Sequence, residues 1–312
     1  MQFNEQVKNY LSSMKDDEMS EQLSELYALT QVNCSVVMKG KGKFELKYSA
    51  DNAAYARRIY KIIKNSFSII PIISVIETTS FGDKQSYNVT VTNNDDCKEI
   101  LYNLNMISYD GIPLFSYNID TDFINSESQK KAYLRAVFST CGYIHSPTKN
   151  ICVEFHIKNE LFAQNFVAFL STFEINAKLR IKKSGIIVYT KKANEISTLL
   201  ALFSDYVHML EFENKIAMKE MRNKLQRTVN CETSNMNKMV NASLIQVNAI
   251  NKIINTIGLN SLPEHLIATA QLRLDYPDSS LNELAELDVK GISKSTLNKR
   301  LQKIISIADG IK

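Results

Sequence analysis

The first two-thirds of this chain reads the same way twice, and that limits its possible folds more than any other feature. From about residue 20 the apolar periodicity gives helix, strand, strand, helix, strand, strand, helix. From about residue 126 the same order returns. The segments "DNAAYARRIYKIIKN" and "KNELFAQNFVAFLST" hold the same place in each pass. A repeat of this kind is an internal duplication. Each copy is expected to be an α+β unit whose antiparallel sheet is covered by helices on one face. Two copies in one chain imply a pseudo-two-fold axis.

The elements can be placed more closely. A helix with Phe3, Val7, Tyr10 and Leu11 on one side precedes both copies. The first copy has a helix over 20–32 and strands over 34–38 and 43–49. It continues with a helix capped by Asp51 and running to 66, strands over 72–79 and 87–93, and a helix over 95–104. The second copy opens with an S-x-x-Q capping box, Ser126 and Gln129, and its first helix ends at Gly142. Strands near 143–145 and over 151–158 follow, then a helix from Asn159 to 173. A strand pair over 177–183 and 186–191 turns around Ser184-Gly185, and a helix closes the copy near 210. Ala136, Ser139 and Thr140 are small. They allow a second backbone to come close, so helix 133–142 is expected to press on its counterpart, 26–34.

A chain of 312 residues exceeds one core. The expected division is a duplicated domain over 1–210, with pseudo-repeats at about 20–105 and 126–210. A polar helical connector over 211–259 and a terminal domain over 260–312 follow. No apolar run is long enough to cross a bilayer, and "MQFNEQVKNY" has no signal core, so no membrane partner is expected and the cytoplasm is the expected location. The 5 cysteines are scattered and form no CxxC pair, which fits free thiols. A net charge of +4 decides little; where the basic residues gather decides more.

They gather at the end. Over 263–275 a helix is expected, then a turn at Pro277-Asp278, a short helix over 281–287 capped by Ser279 or Ser280, a turn at Gly291, and a helix from 294 to about 308 capped by Ser293. A short helix, a tight turn and a longer capped helix make a helix-turn-helix, with Leu281, Leu284, Ala285, Ile292, Leu297, Leu301 and Ile304 as its buried seam. The last helix begins with Ser293, Lys294, Ser295 and Thr296 and adds Asn298, Lys299, Arg300 and Lys303. Short hydroxyls and a positive helix end suit phosphate, and a recognition helix reads bases mostly from its N-terminal residues. These eight residues are the expected DNA-binding set. The alternative is a small three-helix interaction domain with a solvated surface.

The runs "LYALTQVNC" and "LRAVFSTCG" resemble the paired helices of monomeric LAGLIDADG homing endonucleases. In that family each helix ends in an acid that holds catalytic magnesium. Here those places fall on Asn33 and Cys141, and no acid follows closely downstream. The resemblance therefore implies a surviving DNA saddle without its metal site, hence no enzyme and no cofactor. Together with "MRNKLQRTVNCETSNMNK" and "SSLNELAEL…ISKSTLNKRLQKI", the whole chain resembles the WhiA family of bacterial regulators. That resemblance implies a DNA-binding, nucleoid-associated transcription regulator tied to sporulation, or to cell division and chromosome segregation. Double-stranded DNA is then the partner, with other regulators or RNA polymerase beside it. The competing readings are a metal-dependent endonuclease and a protein scaffold with secondary DNA binding.

Other residues admit two readings. Lys178, Arg180 and Lys182 share one strand face, and Lys43 and Lys47 another; they hold DNA backbone or simply solvate a sheet. Arg222, Asn223, Arg227 and Asn230 touch DNA or hold the connector, and Asn230 and Asn235 point to specific hydrogen bonds. Cys152, Glu154 and His156 alternate on one strand face, with Cys141 and His145 just upstream. The usual zinc spacings are missing, so a polar sheet face is the simpler expectation and no metal is assigned. His208 and His265 read as packing or surface residues.

Overall fold

The computed structural model describes residues 2–14, 18–78, 84–148, 150–183, 185–288 and 291–311. The expected strand end at Thr79, Ser184 of the second hairpin, and Val289 and Lys290 of the last turn lie outside them. The chain divides into two units, Met1–Lys219 and Glu220–Lys312.

The first unit contains both copies. After α1 (Phe3–Ser13) come α2 (Met19–Asn33), β1 (Cys34–Gly40), β2 (Lys43–Ala50), α3 (Ala53–Phe67), β3 (Ile72–Thr78), β4 (Lys84–Val91) and α4 (Asn94–Asn103). The second copy is α5 (Glu127–Cys141), β5 (Gly142–Ile144), β6 (Val153–Ile157), α6 (Glu160–Ser171), β7 (Lys178–Lys182), β8 (Gly185–Thr190) and α7 (Ala193–Leu202). The two sheets are antiparallel, with strand orders β1-β2-β4-β3 and β5-β6-β8-β7, the same topology twice. Period-2 side chains sort the faces: Phe44, Leu46, Tyr48 and Ala50 turn to the core, while Lys43, Glu45, Lys47 and Ser49 turn away.

The helices α2 and α5 pack more extensively than any other two helices, as the small residues imply. Ala28 and Ala136, each the tenth residue of its helix, are both fully buried. Tyr133 donates to Gln31 Oε1 at 2.7 Å across the pair. Segment 105–125 lies against α2: Gln31 Nε2 donates to the carbonyls of Ser116 and Asn118, and Asp120 N donates to the Tyr27 hydroxyl.

Four local expectations need correction. Asn52, not Asp51, caps α3; its extended backbone sets Oδ1 2.7 Å from Tyr55 N. The strand expected over 87–93 lies at Lys84–Val91, because Asn93 is spent capping α4 at Asp95 N and Asp96 N. Gly142 is not a left-handed cap but extended, with φ −82°. It is glycine for room: a Cβ there would stand 2.4 Å from the Phe138 ring and 2.6 Å from its carbonyl oxygen. Lastly, the helix expected to end near 210 stops at Leu202. The chain turns at Ser204 (φ 59°), and α8 (Tyr206–Thr256) starts with Asp205 Oδ1 accepting from His208 N.

Of α8, Phe212 and Ile216 belong to the core of the first unit. In the second unit its residues 220–238 are exposed, and Ala249, Ile250 and Ile253 join the second core. A 3-10 turn (Leu259–Ser261) leads to α9 (Glu264–Asp275), α10 (Leu281–Leu287) and α11 (Lys294–Gly310). Leu262, Leu266, Ala270, Leu284, Leu297, Leu301, Ile304 and Ala308 complete that core. No helix among the described residues is long and apolar enough to cross a membrane.

Candidate nucleic-acid interface

The helix-turn-helix is built from its caps inward. Ser280 caps α10 and exchanges hydrogen bonds with Glu283, which holds the Glu283 carboxyl below its usual range. Ser293 caps α11 by accepting from Thr296 N, and its hydroxyl lies 2.9 Å from Ser295 Oγ and 3.0 Å from Thr296 Oγ1. Ser293 therefore positions the helix start, while Ser295 and Thr296 stand exposed beside it. Leu297, Leu301, Ile304 and Ala308 fix one side of α11 in the core. At about 100° per residue, Ser295, Lys299 and Gln302 then point opposite, with Asn298 and Lys303 on the flanks. Lys294 is exposed, and Arg300 is half-buried at the rim of the core. All eight expected residues thus sit on one exposed helix or its cap, Arg300 least freely.

One supporting residue escaped the sequence reading. Arg273 of α9 is buried, and its Nη1 donates to the carbonyls of Tyr276, Pro277 and Ser279 at 3.4, 3.3 and 2.7 Å. Burial lowers its pKa. Ser243 of α8 donates to the same Pro277 carbonyl. These bonds pin the turn that delivers α10. A lone Arg in "QLRLDY" gives no signal of this, since only the folded turn collects the carbonyls.

In the first unit the basic strand is real and one-sided. Lys178, Arg180 and Lys182 of edge strand β7 are all exposed. The register sets Lys178 beside Tyr189, and Arg180 beside Ile187. The Arg180 guanidinium lies 4.9 Å from the Tyr189 ring centroid, a cation–π contact. On the first sheet Lys43 and Lys47 flank Glu45, which already pairs with Lys39 at 3.0 Å. Arg222 and Arg227 are exposed on α8. Asn230 accepts from Gln226 and Asn235 donates to Cys231, so these asparagines spend their bonds along their own helix. His208 packs: Nδ1 is 2.7 Å from Asp205 Oδ2, and Phe3 and Tyr10 meet its ring edge-on. His265 is exposed.

The ends of α2 and α5 meet at a cleft of about 590 Å³ lined by Lys8, Asn33, Asp51, Cys141, His156 and Lys158 among others. Asn33 donates to the Ser49 carbonyl. The Cys141 thiol donates to the Val137 carbonyl at 3.1 Å, and burial pushes it up to about 12, so it stays protonated. Asp51, freed from capping, is the one carboxylate on this lining among the described residues. The sequence reading missed it because adjacent Asp51 and Asn52 are equally good caps. Magnesium wants several charged oxygens. An amide, a neutral thiol and one carboxylate do not fit the two-carboxylate centre of a homing endonuclease.

Comparison with known proteins agrees with this architecture. Residues 19–107 match the WhiA N-terminal LAGLIDADG-like domain, 130–222 the WhiA LAGLIDADG-like domain, and 225–308 the WhiA C-terminal HTH domain. A protein of Thermoanaerobacter pseudethanolicus named probable cell division protein WhiA is 36% identical over 313 residues, covering 100% of this chain and 98% of its own. One of Clostridium botulinum with the same name is 35% identical, covering 100% and 99%. The crystal structure of full-length WhiA from Thermatoga maritima superposes with a TM-score of 0.59 at 21% identity, over 100% of this chain and 99% of that one. Duplicated sheets, paired helices without their acids and a capped terminal helix-turn-helix are joined here in one order along the whole length, and the chain belongs to the WhiA family.

Proposed function

We propose that this chain is a non-catalytic, sequence-specific DNA-binding regulator of transcription that acts in cell division. The observation that carries this is α11: a core-locked, Ser-capped helix after a tight turn, with Ser295, Lys299 and Gln302 outward and Lys294 exposed at its start. That arrangement offers hydroxyls and cations to a groove while the other side of the helix cannot move. The relatives named as cell division proteins and the matching helix-turn-helix domain support the same reading. The chemistry at the ends of α2 and α5 supports a binding role over hydrolysis. In this reading β7 holds phosphates and residues 1–210 act as a DNA saddle, with 211–259 as connector and 260–312 as reader.

Selection of bound fragments from genomic DNA by the full chain tests the reading. A shared sequence should be enriched. Arg300→Ala should cost about 1–3 kcal/mol on that sequence and much less on random duplex if it bonds a base. With magnesium present, no cleavage should occur. Absence of any enriched sequence, or metal-dependent nicking abolished by Asp51→Asn, would overturn it.

A further inference from the structure

Three metal-ligating side chains converge on the face of the second sheet turned from its apolar core: His145 and Glu154 half-buried, Cys152 buried. His145 follows β5, and its backbone N–H donates to the Cys152 carbonyl at 2.9 Å. This continues the β5–β6 pairing, in which Tyr143 stands opposite Glu154 and Ile144 opposite Val153. His145 and Cys152 are therefore direct cross-strand neighbours, and Glu154 is two residues along on the same face. The donor atoms of His145, Cys152 and Glu154 all lie within 4.8 Å of one another.

The Cys152 thiol makes a long hydrogen bond to Glu154, whereas His145 stands off from both. His145 Nε2 is 3.8 Å from Glu154 Oε2, and Cys152 Sγ is 3.9 Å from Glu154 Oε1. The nitrogen–oxygen separation is well beyond a sound hydrogen bond. His145 Nε2 is itself buried and, among the described residues, has no hydrogen-bond partner. A tetrahedral zinc ion with bonds of 2.0–2.3 Å sets its ligands roughly 3.3–3.8 Å apart. The two separations that involve Glu154, 3.8 and 3.9 Å, need only a small contraction to meet that. Beside them His156 is exposed, with Nε2 3.5 Å from Glu154 Oε2.

We propose that His145, Cys152 and Glu154 form a zinc site, with the fourth position on the solvent side within reach of His156. One thiolate, one imidazole and one carboxylate make a borderline donor set that suits zinc and does not suit magnesium or calcium. Zinc binds cysteine as the thiolate, so the ion would displace the Cys152 proton. The bound ion also cancels the Glu154 charge on the face that carries Lys178 and Arg180.

The test uses the full chain, stripped with chelator and titrated with zinc alone, then with cobalt as a spectroscopic probe. One zinc per chain should bind, and the cobalt form should show a sulfur-to-metal charge-transfer band. Cys152→Ser should abolish that band, and Cys152→Ser and His145→Ala should each weaken zinc binding at least 100-fold, with unchanged circular dichroism showing that both variants fold. Glu154→Gln, at a half-buried surface position, should weaken it 10–100-fold. No stoichiometric zinc, or a cobalt–sulfur band that survives Cys152→Ser, would overturn the proposal by leaving the ion unbound or placing it on another thiol.

Discussion

The two copies in the first unit share topology, yet they join their first two helices by different chemistry. In the first copy Glu25 of α2 and Arg58 of α3 form a buried ion pair, with Nε–Oε1 at 2.6 Å and Nη2–Oε2 at 2.7 Å. The Arg58 and Glu25 side chains are 8% and 2% exposed. Counted from the start of each helix, the same places in the second copy are Tyr133 of α5 and Asn165 of α6. Tyr133 packs edge-on against Phe169 at 5.2 Å, and Asn165 donates to the Tyr117 carbonyl. One topology therefore accepts an ionic or an aromatic joint. The backbone arrangement is set by apolar burial and by the close pair α2 and α5, and the joint is a local solution.

The largest effect should come from breaking the ionic joint on one side only. Glu25→Met leaves a buried guanidinium without its carboxylate and should cost about 3–5 kcal/mol. Adding Arg58→Met removes the stranded charge and should recover much of that loss, moving the first copy toward the apolar chemistry of the second. Urea melts of the three proteins read both numbers. If Glu25→Met lay within about 1 kcal/mol of the parent, the buried pair would not be what holds α2 to α3.

The copies also differ on the faces they expose. On the first sheet the row Ser35, Lys47, Thr90 and Ile72 and the row Ser49, Asn88 and Ser74 are mostly neutral. On the second, Lys178, Arg180 and Lys182 line the edge. Replacing these three by Ala should lower affinity alike on specific and random duplex. The slope of log affinity against log salt should fall by about 0.9 for each phosphate that is no longer neutralised. Lys43→Ala with Lys47→Ala should change it less, because Glu45 already offsets that face. Equal effects from the two sets would remove the distinction between the faces.

What was legible in the sequence followed from periodicity and caps. Period-2 runs such as residues 43–49 placed the strands, and Ser126 with Gln129 and Ser293 placed helix starts that the fold keeps. The repeat itself was readable because both copies need the same apolar faces. Less legible were choices between neighbouring residues of equal local merit, such as Asp51 against Asn52. Gly142 looked like a helix-ending glycine, but its reason is the Phe138 ring, a proximity that spacing does not encode. The Arg273 carbonyl cluster and the His145–Cys152 pairing depend on register and turn geometry, which arise only when separate segments meet. The exposed polar set on α11 was readable as a helix, but the half-burial of Arg300 was not, since it depends on which side the core takes.

The smallest effect should appear where the copies differ in a helix cap. In the first copy Asn93 caps α4. The matching residue before α7 is Lys192, whose side chain cannot accept a hydrogen bond and does not cap. Instead Glu195 ties the helix start to β8: Thr190 donates to Oε2, Lys192 Nζ donates to Oε1 at 2.9 Å, and Lys192 N donates to the Thr190 hydroxyl at 3.2 Å. Burial by itself would raise the Glu195 carboxyl, but the bonds from Thr190 and Lys192 outweigh it and hold the group below its usual range. A carboxyl depressed on folding adds stability above its unfolded pKa and loses it as pH falls through the folded value. The urea midpoint of the parent should therefore fall more steeply below about pH 4.5 than that of Glu195→Gln, the two curves converging in stronger acid. Asn93→Asp places a carboxylate at the matching cap, where it accepts the same backbone N–H groups, and should transfer a similar acid sensitivity to the first copy. Parallel curves for the parent and Glu195→Gln across the whole range would show that the ionised Glu195 adds no stability through Thr190 and Lys192.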